Sequence, residues 1–164
     1  MPYANASLFI SPLNSAMLEF EISLTLLREA AFLAQVAYES GELRWLRELA
    51  SGNEYEGRTD LGNVDPGDGP LYKGRGLLQI TGKTNYLKCG EALDLPLLQS
   101  PELLEQPENA ARSAGWFWNI HGLNELADSE NFLLITKRIN GGTNGYAKRL
   151  AYFEKAKQIL GAFN

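Results

Sequence analysis

Residues 30–48 read AAFLAQVAYESGELRWLRE, and the fold turns on where the helix in that stretch stops. Ala30, Leu33, Ala34 and Ala37, with Leu26 and Leu27 before them, recur at helical spacing and make a broad apolar stripe. Ser23 or Thr25 can cap its start. The stripe runs into Tyr38, Glu39 and Ser40, and Gly41 supplies a stop. The stop matters because Glu48 lies nine residues beyond Glu39. On one continuous helix, at about 100° per residue, the two carboxyl groups would face opposite ways. A break at Gly41 lets the chain fold back, so that both can serve one site.

The same pattern extends outward in both directions. Upstream, Ser11 opens a helix with Pro12 at its first position, and Leu13, Ala16, Met17 and Phe20 fall on one face. Downstream, Leu43, Trp45, Leu46 and Leu49 suggest a short helical turn. Periodicity then fades from Ser51 to Gly76. The run GNEYEGRTDLGNVDPGDGPLYKGRG at 52–76 is rich in turn formers, with Tyr55, Leu61 and Tyr72 as anchors. A loop this long inside a compact domain points to function. Leu77 to Ile80 reads as a short strand or extended segment. Helices return from about Thr84 to Leu93, after a cap at Ser100-Pro101-Glu102, and from Gln106-Pro107-Glu108 through Ala110, Ala114, Phe117 and Trp118. Ser129 caps another that ends at Asn140-Gly141-Gly142. A last amphipathic helix carries Leu150, Phe153, Ala156 and Leu160. The reading is mainly α, with a small irregular or β segment in the middle.

Composition narrows the function. The 164 residues fit a single domain, 1–164, which can bury roughly two-thirds of its unfolded surface. Net charge is −5, and no basic stripe suggests nucleic acid. No apolar run reaches membrane-spanning length, and the start of the chain does not read as a signal peptide. A single cysteine, Cys89, allows no internal disulfide. With one histidine as well, a His/Cys metal site is not expected, and neither is a cofactor. Cys89 with His121 lacks the flanking signals of a nucleophile pair and reads as a small buried thiol and a helix-end histidine. Gly74-Arg75-Gly76 lacks the context of a phosphate loop.

Carboxylates therefore carry the chemistry. Glycoside hydrolysis uses two of them on opposite sides of the scissile bond. Glu39, at the end of an apolar helix, is placed for a general acid, and it also reads as a solvated helix-end glutamate. Glu48 is a candidate partner, and Glu54, Glu56 and Asp60 in the loop compete with it. Gln79, Thr81, Asn85 and Tyr86 lie close together after the glycine turn, and Asn140 to Asn144 adds amides and open backbone, as a sugar groove requires. Trp116 and Trp118 can serve as platforms or as core.

Four runs in order, AAFLAQVAYESGELRWLRE, YEGRTDLGN, YKGRGLLQITGKTNY and RINGGTNGYAKRL, resemble glycoside hydrolase family 19. Within it they look like the phage-type lysozymes (endolysins) more than the plant chitinases. The resemblance runs from about Leu18 to Leu160. It implies a lysozyme-like, mainly α-helical fold with two lobes flanking a cleft, and no separate cell-wall-binding module. It implies Glu39 as general acid, Glu48 as general base, and Thr81 as a hydroxyl that helps hold the attacking water. Gln79, Asn85, Tyr86 and Asn140 match sugar-contacting positions, and with Tyr38, Tyr55 and Arg149 they make up the expected substrate-binding set. Arg149 matches a basic residue near the acidic pair, where it would support an ionised Glu48.

The expected partner is the glycan strand of peptidoglycan, cut between N-acetylmuramic acid and N-acetylglucosamine by a monomeric enzyme. That enzyme would wait in the host cytoplasm before release to the wall. Two departures stand out. Tyr38 replaces the usual histidine before the catalytic glutamate, and Asn144 replaces an acidic residue. A chitinase on the same fold and a non-catalytic wall-binding relative are the alternatives, and Tyr38 is the feature that favours the second.

Overall fold

A computed structural model of the chain describes residues 3–162. Among these residues eight helices account for the architecture, and extended pairing is limited to two isolated antiparallel bridges, Arg47 with Arg75 and Arg75 with Ile80. Helix α1 spans Tyr3–Glu19 and α2 Leu26–Glu39. A single turn, α3, covers Asp68–Leu71, and α4 covers Lys83–Leu93. After these come α5 (Pro107–Ile120), α6 (Leu123–Asp128), α7 (Phe132–Asn140) and α8 (Tyr146–Leu160). None of the described helices is long and apolar enough to cross a membrane.

The stop after α2 forms as its residues suggest, and goes further. Thr25 caps the start, its hydroxyl accepting from Arg28 N at 3.2 Å. Ala30, Ala31, Phe32, Ala34, Val36 and Ala37 bury the apolar face. At the other end Ser40 Oγ donates to Val36 O at 2.7 Å and accepts from Leu43 N at 2.8 Å. Gly41, Glu42 and Leu43 then all take left-handed backbone, with φ of 57°, 62° and 67°. Only glycine adopts that region freely. The reversal throws Leu43 into the core, 2% exposed, and sends the chain outward. Residues 43–49 are therefore not the helical turn expected of them. They run across to the glycine turn, where Glu48 N donates to Gly74 O and Gly76 N to Leu46 O, both at 2.9 Å.

Three other expectations shift. Pro12 lies inside α1, not at its first position. An interior proline costs about 3 kcal/mol, and the burial of Phe9, Leu13, Ala16 and Met17 along this helix offsets it. Helix α7 is capped by Asn131, whose side chain accepts from Leu134 N. Ser129 instead closes α6 by donating to the Glu125 and Leu126 carbonyls. Ser100 precedes a 3-10 turn, Pro101–Glu105, with no side-chain cap bond.

Two buried clusters define two lobes. The larger gathers residues of α1, α2 and α5 to α8, centred on Phe32, Trp118 and Ile135. Phe32 meets Trp118 edge to face at 5.4 Å. The smaller holds Tyr72, Ile80, Tyr86, Cys89, Leu93, Leu97, Leu104 and Trp116. Phe20 and Phe117 pack against both. This is the two-lobed helical arrangement that the resemblance implied. Glu39 ends a helix of the larger lobe, and the segment carrying Glu48 pairs with the edge of the smaller.

Candidate active site

The first group of side chains surrounds Glu39. Arg149, one turn into α8, is 1% exposed and points an Nη2 at Glu39 Oε1, 2.5 Å away. Its Nη1 donates to Gln35 Oε1 at 2.5 Å and its Nε to Asn144 O at 3.2 Å. Gln35 in turn donates through Nε2 to Thr136 Oγ1, which donates to Phe132 O. Tyr38 stacks on the guanidinium, 4.0 Å from ring centroid to Cζ. A buried cation is thus met by one carboxylate, one amide oxygen, one backbone carbonyl and one aromatic face. Gln35 and Thr136 were not anticipated. A polar residue inside the apolar stripe of α2 was the available signal.

This arrangement corrects the role expected of Arg149. It pairs with Glu39, not Glu48, and its burial leaves it no sugar to touch. Asn144, in place of an acidic residue, contributes its backbone carbonyl to the same guanidinium.

The second group surrounds Glu48. Tyr55 Oη donates to Glu48 Oε1 at 3.0 Å, and Gly74 N donates to Oε2 at 3.2 Å. Burial pushes the Tyr55 phenol up to about 12, with the bond to Glu48 adding to the effect. Tyr55 therefore keeps its proton, and its role as donor, across neutral pH. A Cβ at Gly74 would sit 2.7 Å from Gln79 Oε1, 3.2 Å from Glu48 Oε2 and 3.3 Å from Thr81 Oγ1. Those three oxygens converge on one point. Gln79 holds left-handed backbone, φ 53°, and its Nε2 donates to Gly76 O. Thr81 Oγ1 donates to Gln79 O at 3.0 Å.

Behind this turn lies a framework. Arg75 donates to Glu105, to the Leu71 carbonyl and to Tyr86 Oη. Tyr86, expected to contact sugar, is 0% exposed and donates its phenol proton to Lys73 O at 2.6 Å. It braces the glycine turn from inside the smaller lobe. The loop carboxylates that competed with Glu48 are committed elsewhere or stand outside the group. Glu56 accepts from Gly67 N and Gly69 N, and Asp60 pairs with Arg58. Glu54 is exposed. Burial pushes the Cys89 thiol up to about 12, so it does not serve as a nucleophile.

A pocket of about 190 Å³ opens beside Gln79 and Thr81, lined also by Leu61, Ile80, Asn85, Trp116, Phe117, Ile120 and His121. Trp116 is among its lining though largely buried, while Trp118 is wholly core. Asn85 is exposed, its Nδ2 donating to Thr81 O. Asn140 is exposed at the end of α7, in neither group.

A mainly helical domain built on two buried clusters has the lysozyme-like fold of the glycosidases. The sequence profile of glycoside hydrolase family 19, described as chitinase class I, matches residues 28–154, and the chain belongs to that family. It is 40% identical to an Arabidopsis thaliana endochitinase over 114 residues, which cover 69% of this chain and 39% of the relative. It is 30% identical to a Haemophilus influenzae protein named for its family 19 domain, over 82% of this chain and 81% of that one. Its fold is similar to a bacterial family 19 chitinase, with a TM-score of 0.82 at 26% identity, covering 98% of this chain and 90% of the other. The chain spans about two-fifths of the length of the plant endochitinases it matches.

Proposed function

We propose that the protein hydrolyses the β-1,4 link between N-acetylmuramic acid and N-acetylglucosamine in peptidoglycan, as an endolysin-type lysozyme. The observation that carries the reading is the gathering of Glu48, Thr81 and Gln79 oxygens round Gly74, with Tyr55 and a backbone N–H fixing the carboxylate. A carboxylate held on both oxygens is set to draw a proton from water, and Thr81 is set to share in holding that water. Glu39, carried by the other lobe, gives its proton to the leaving glycosidic oxygen. Arg149 pairs with the Glu39 carboxylate in the resting arrangement, so the carboxyl leaves that pair and takes a proton from solvent before it serves as the acid. Water then attacks the anomeric carbon from the far face and inverts it. That geometry asks for carboxyl groups roughly 6.5–9.5 Å apart. The endolysin-like spacing of Glu39 and Glu48 supports peptidoglycan as substrate. In this reading the enzyme acts as a monomer, held in the host cytoplasm until it is released to the wall.

Chitin is the second reading, favoured by the names of the relatives. Purified peptidoglycan and chitin oligomers, digested side by side, separate the two: release of sugar from chitin alone defeats the peptidoglycan assignment. Glu39→Gln and Glu48→Gln are each expected to cut turnover by about 10²–10⁴-fold while the protein stays folded. Proton NMR of the fresh product should show the inverted anomer. A folded Glu39→Gln protein that cuts at the wild-type rate removes the mechanism, and wild-type protein that binds walls without releasing sugar establishes a non-catalytic relative.

A further inference from the structure

Gln35 is wholly buried in the apolar stripe of α2, one turn before Glu39, and the mechanism above gives it no part. Its hydrogen bonds allow one polarity. A guanidinium has donors and no acceptor, so Gln35 meets Arg149 Nη1 with Oε1, at 2.5 Å. Nε2 is then left to donate, and it does so to Thr136 Oγ1 at 2.9 Å. Thr136 is free to accept because its own proton goes to Phe132 O, 3.1 Å away. A chain of donors with a fixed direction therefore runs from Arg149 through α2 into α7.

The charge of the acceptor that Gln35 supplies bears on the reaction. Arg149 is met by Gln35 Oε1, Asn144 O, the Tyr38 ring and Glu39 Oε1. The first three are neutral, and among the described residues Glu39 is the one carboxylate paired with it. The other charges near this point are engaged or exposed. On the reversal after α2, Glu42 is held by Tyr152 of α8, with Arg44 and Lys148 acting on it. On α7, Lys137 and Arg138 are exposed. A cation beside a carboxyl favours its ionised form. The more of the Arg149 charge Glu39 answers alone, the harder it is for that carboxyl to leave the pair and take up the proton the reaction consumes.

We propose that Gln35 is a positioning residue that governs, through Arg149, how readily Glu39 regains its proton. By presenting an amide where a carboxylate would fit, it keeps the pull of the guanidinium on Glu39. Its bond to Thr136 holds the amide in that orientation. The inference rests on the reading of Glu39 as the general acid and deepens it by naming what regulates its proton.

Gln35→Glu keeps the shape of the side chain and adds a charge. Two carboxylates then share one cation, so one proton is held to higher pH. The alkaline limb of kcat/KM reports loss of the protonated acid. On whichever of peptidoglycan and chitin oligomers the protein cuts, that limb should rise by about one pH unit in Gln35→Glu. In the free protein the carbon-13 carboxyl signal of Glu39, assigned by its loss in Glu39→Gln, should titrate higher by a similar amount. Thr136→Val leaves Gln35 Nε2 without its acceptor and should move both in the same direction by less. Thr136→Ser should restore the wild-type values. A residue that only filled the core would lower the urea midpoint and move neither. Glu39 titrating at the wild-type pH in folded Gln35→Glu protein overturns the proposal. If Gln35→Glu does not fold, the same result in Thr136→Val overturns it. If the Glu39 signal moves as expected while the wild-type protein cuts neither polymer, the positioning role stands and the hydrolase reading falls.

Discussion

At the scale of single residues, the two glutamates are held by different chemistry. Glu48 is fixed by a phenol and a backbone N–H, both neutral donors. Glu39 is fixed by a guanidinium that is itself buried. Tyr55→Phe removes one donor from Glu48 Oε1 and nothing from the fold's core. Hydrogen bonds to charged groups contribute about 1.5–3 kcal/mol, so turnover should fall roughly 10–100-fold. The thermal midpoint should stay within a few degrees of wild type. A Tyr55→Phe enzyme with wild-type turnover would show that Glu48 needs no such anchor. Arg149 should behave in the opposite way. Its removal leaves Gln35 Oε1 and the Glu39 carboxylate without their cation, so Arg149→Ala should lose about 3–5 kcal/mol in urea unfolding together with activity. Arg149→Lys keeps the charge but cannot reach Gln35, Asn144 and Glu39 at once, and should fall between. The family pattern placed a basic residue near the acidic pair. Which carboxylate it serves depends on the approach of α8 to α2, a contact between segments more than a hundred residues apart, on which local spacing is silent.

At the scale of elements, the reversal after α2 and the start of α8 decide where these groups point. Gly41 was legible as a stop because glycine is the residue that ends helices in left-handed backbone. Glu42 and Leu43 were not, because neither side chain advertises a positive φ. They are held there by tertiary contacts: Leu43 is buried, and Glu42 accepts from Tyr152 Oη of α8 at 2.7 Å. The helical turn expected at 43–49 was lost for that reason. Gly145, the residue before α8, shows the same coupling. Its φ is 68°, and a Cβ there would come to 2.0 Å from Tyr38 Oη. Tyr38 has little freedom to yield, since its ring already backs Arg149. Gly145→Ala should cost about 1–3 kcal/mol from backbone strain alone, with displacement of Tyr38 added. Turnover should fall further than the lost stability explains, because α8 carries Arg149 to Glu39. Tyr38→Ala in the same background removes the ring carbons that the Cβ would meet at 2.2 and 2.6 Å as well as the phenol oxygen, and should recover part of the lost stability. No recovery would mean that the loss lies in the backbone and not at the Tyr38 ring.

At the scale of the whole molecule, the irregular stretch between the lobes sets how acid is tolerated. Composition marked 51–76 as a shaped loop. Its shape comes from side chains that cap the backbone of the loop itself. Asp68, 4% exposed, accepts from Val64 N and Asp65 N and meets the Lys83 ammonium at 3.1 Å. Burial works to raise the Asp68 pKa, but those backbone bonds and Lys83 outweigh it and hold the carboxyl below its usual range. Lys83 is pushed up to about 12 by its bonds to Asp65 and Asp68. A depressed acid contributes stability above its unfolded value, and loses it as pH falls through the folded one. A raised base contributes fully below its unfolded value, and loses it as pH climbs through the folded one. The cluster is therefore intact from about pH 5 to about pH 10 and weakens on both sides. Tyr55, which anchors Glu48, is tied to the same loop by Asn63 Nδ2 donating to Tyr55 O. Asn63 Oδ1 accepts from Lys83 N. Acid should thus loosen the loop and impair catalysis before the helical lobe unfolds. Amide exchange between pH 3 and pH 6 should show residues 53–69 losing protection first, while the amides around Trp118 stay protected. Asp68→Asn should lower stability at pH 7 and flatten the fall toward pH 3. A mutant whose thermal midpoint drops as steeply as wild type between those values would place the acid sensitivity in another carboxylate, with the Arg28–Asp128 and Arg112–Glu19 pairs next in line.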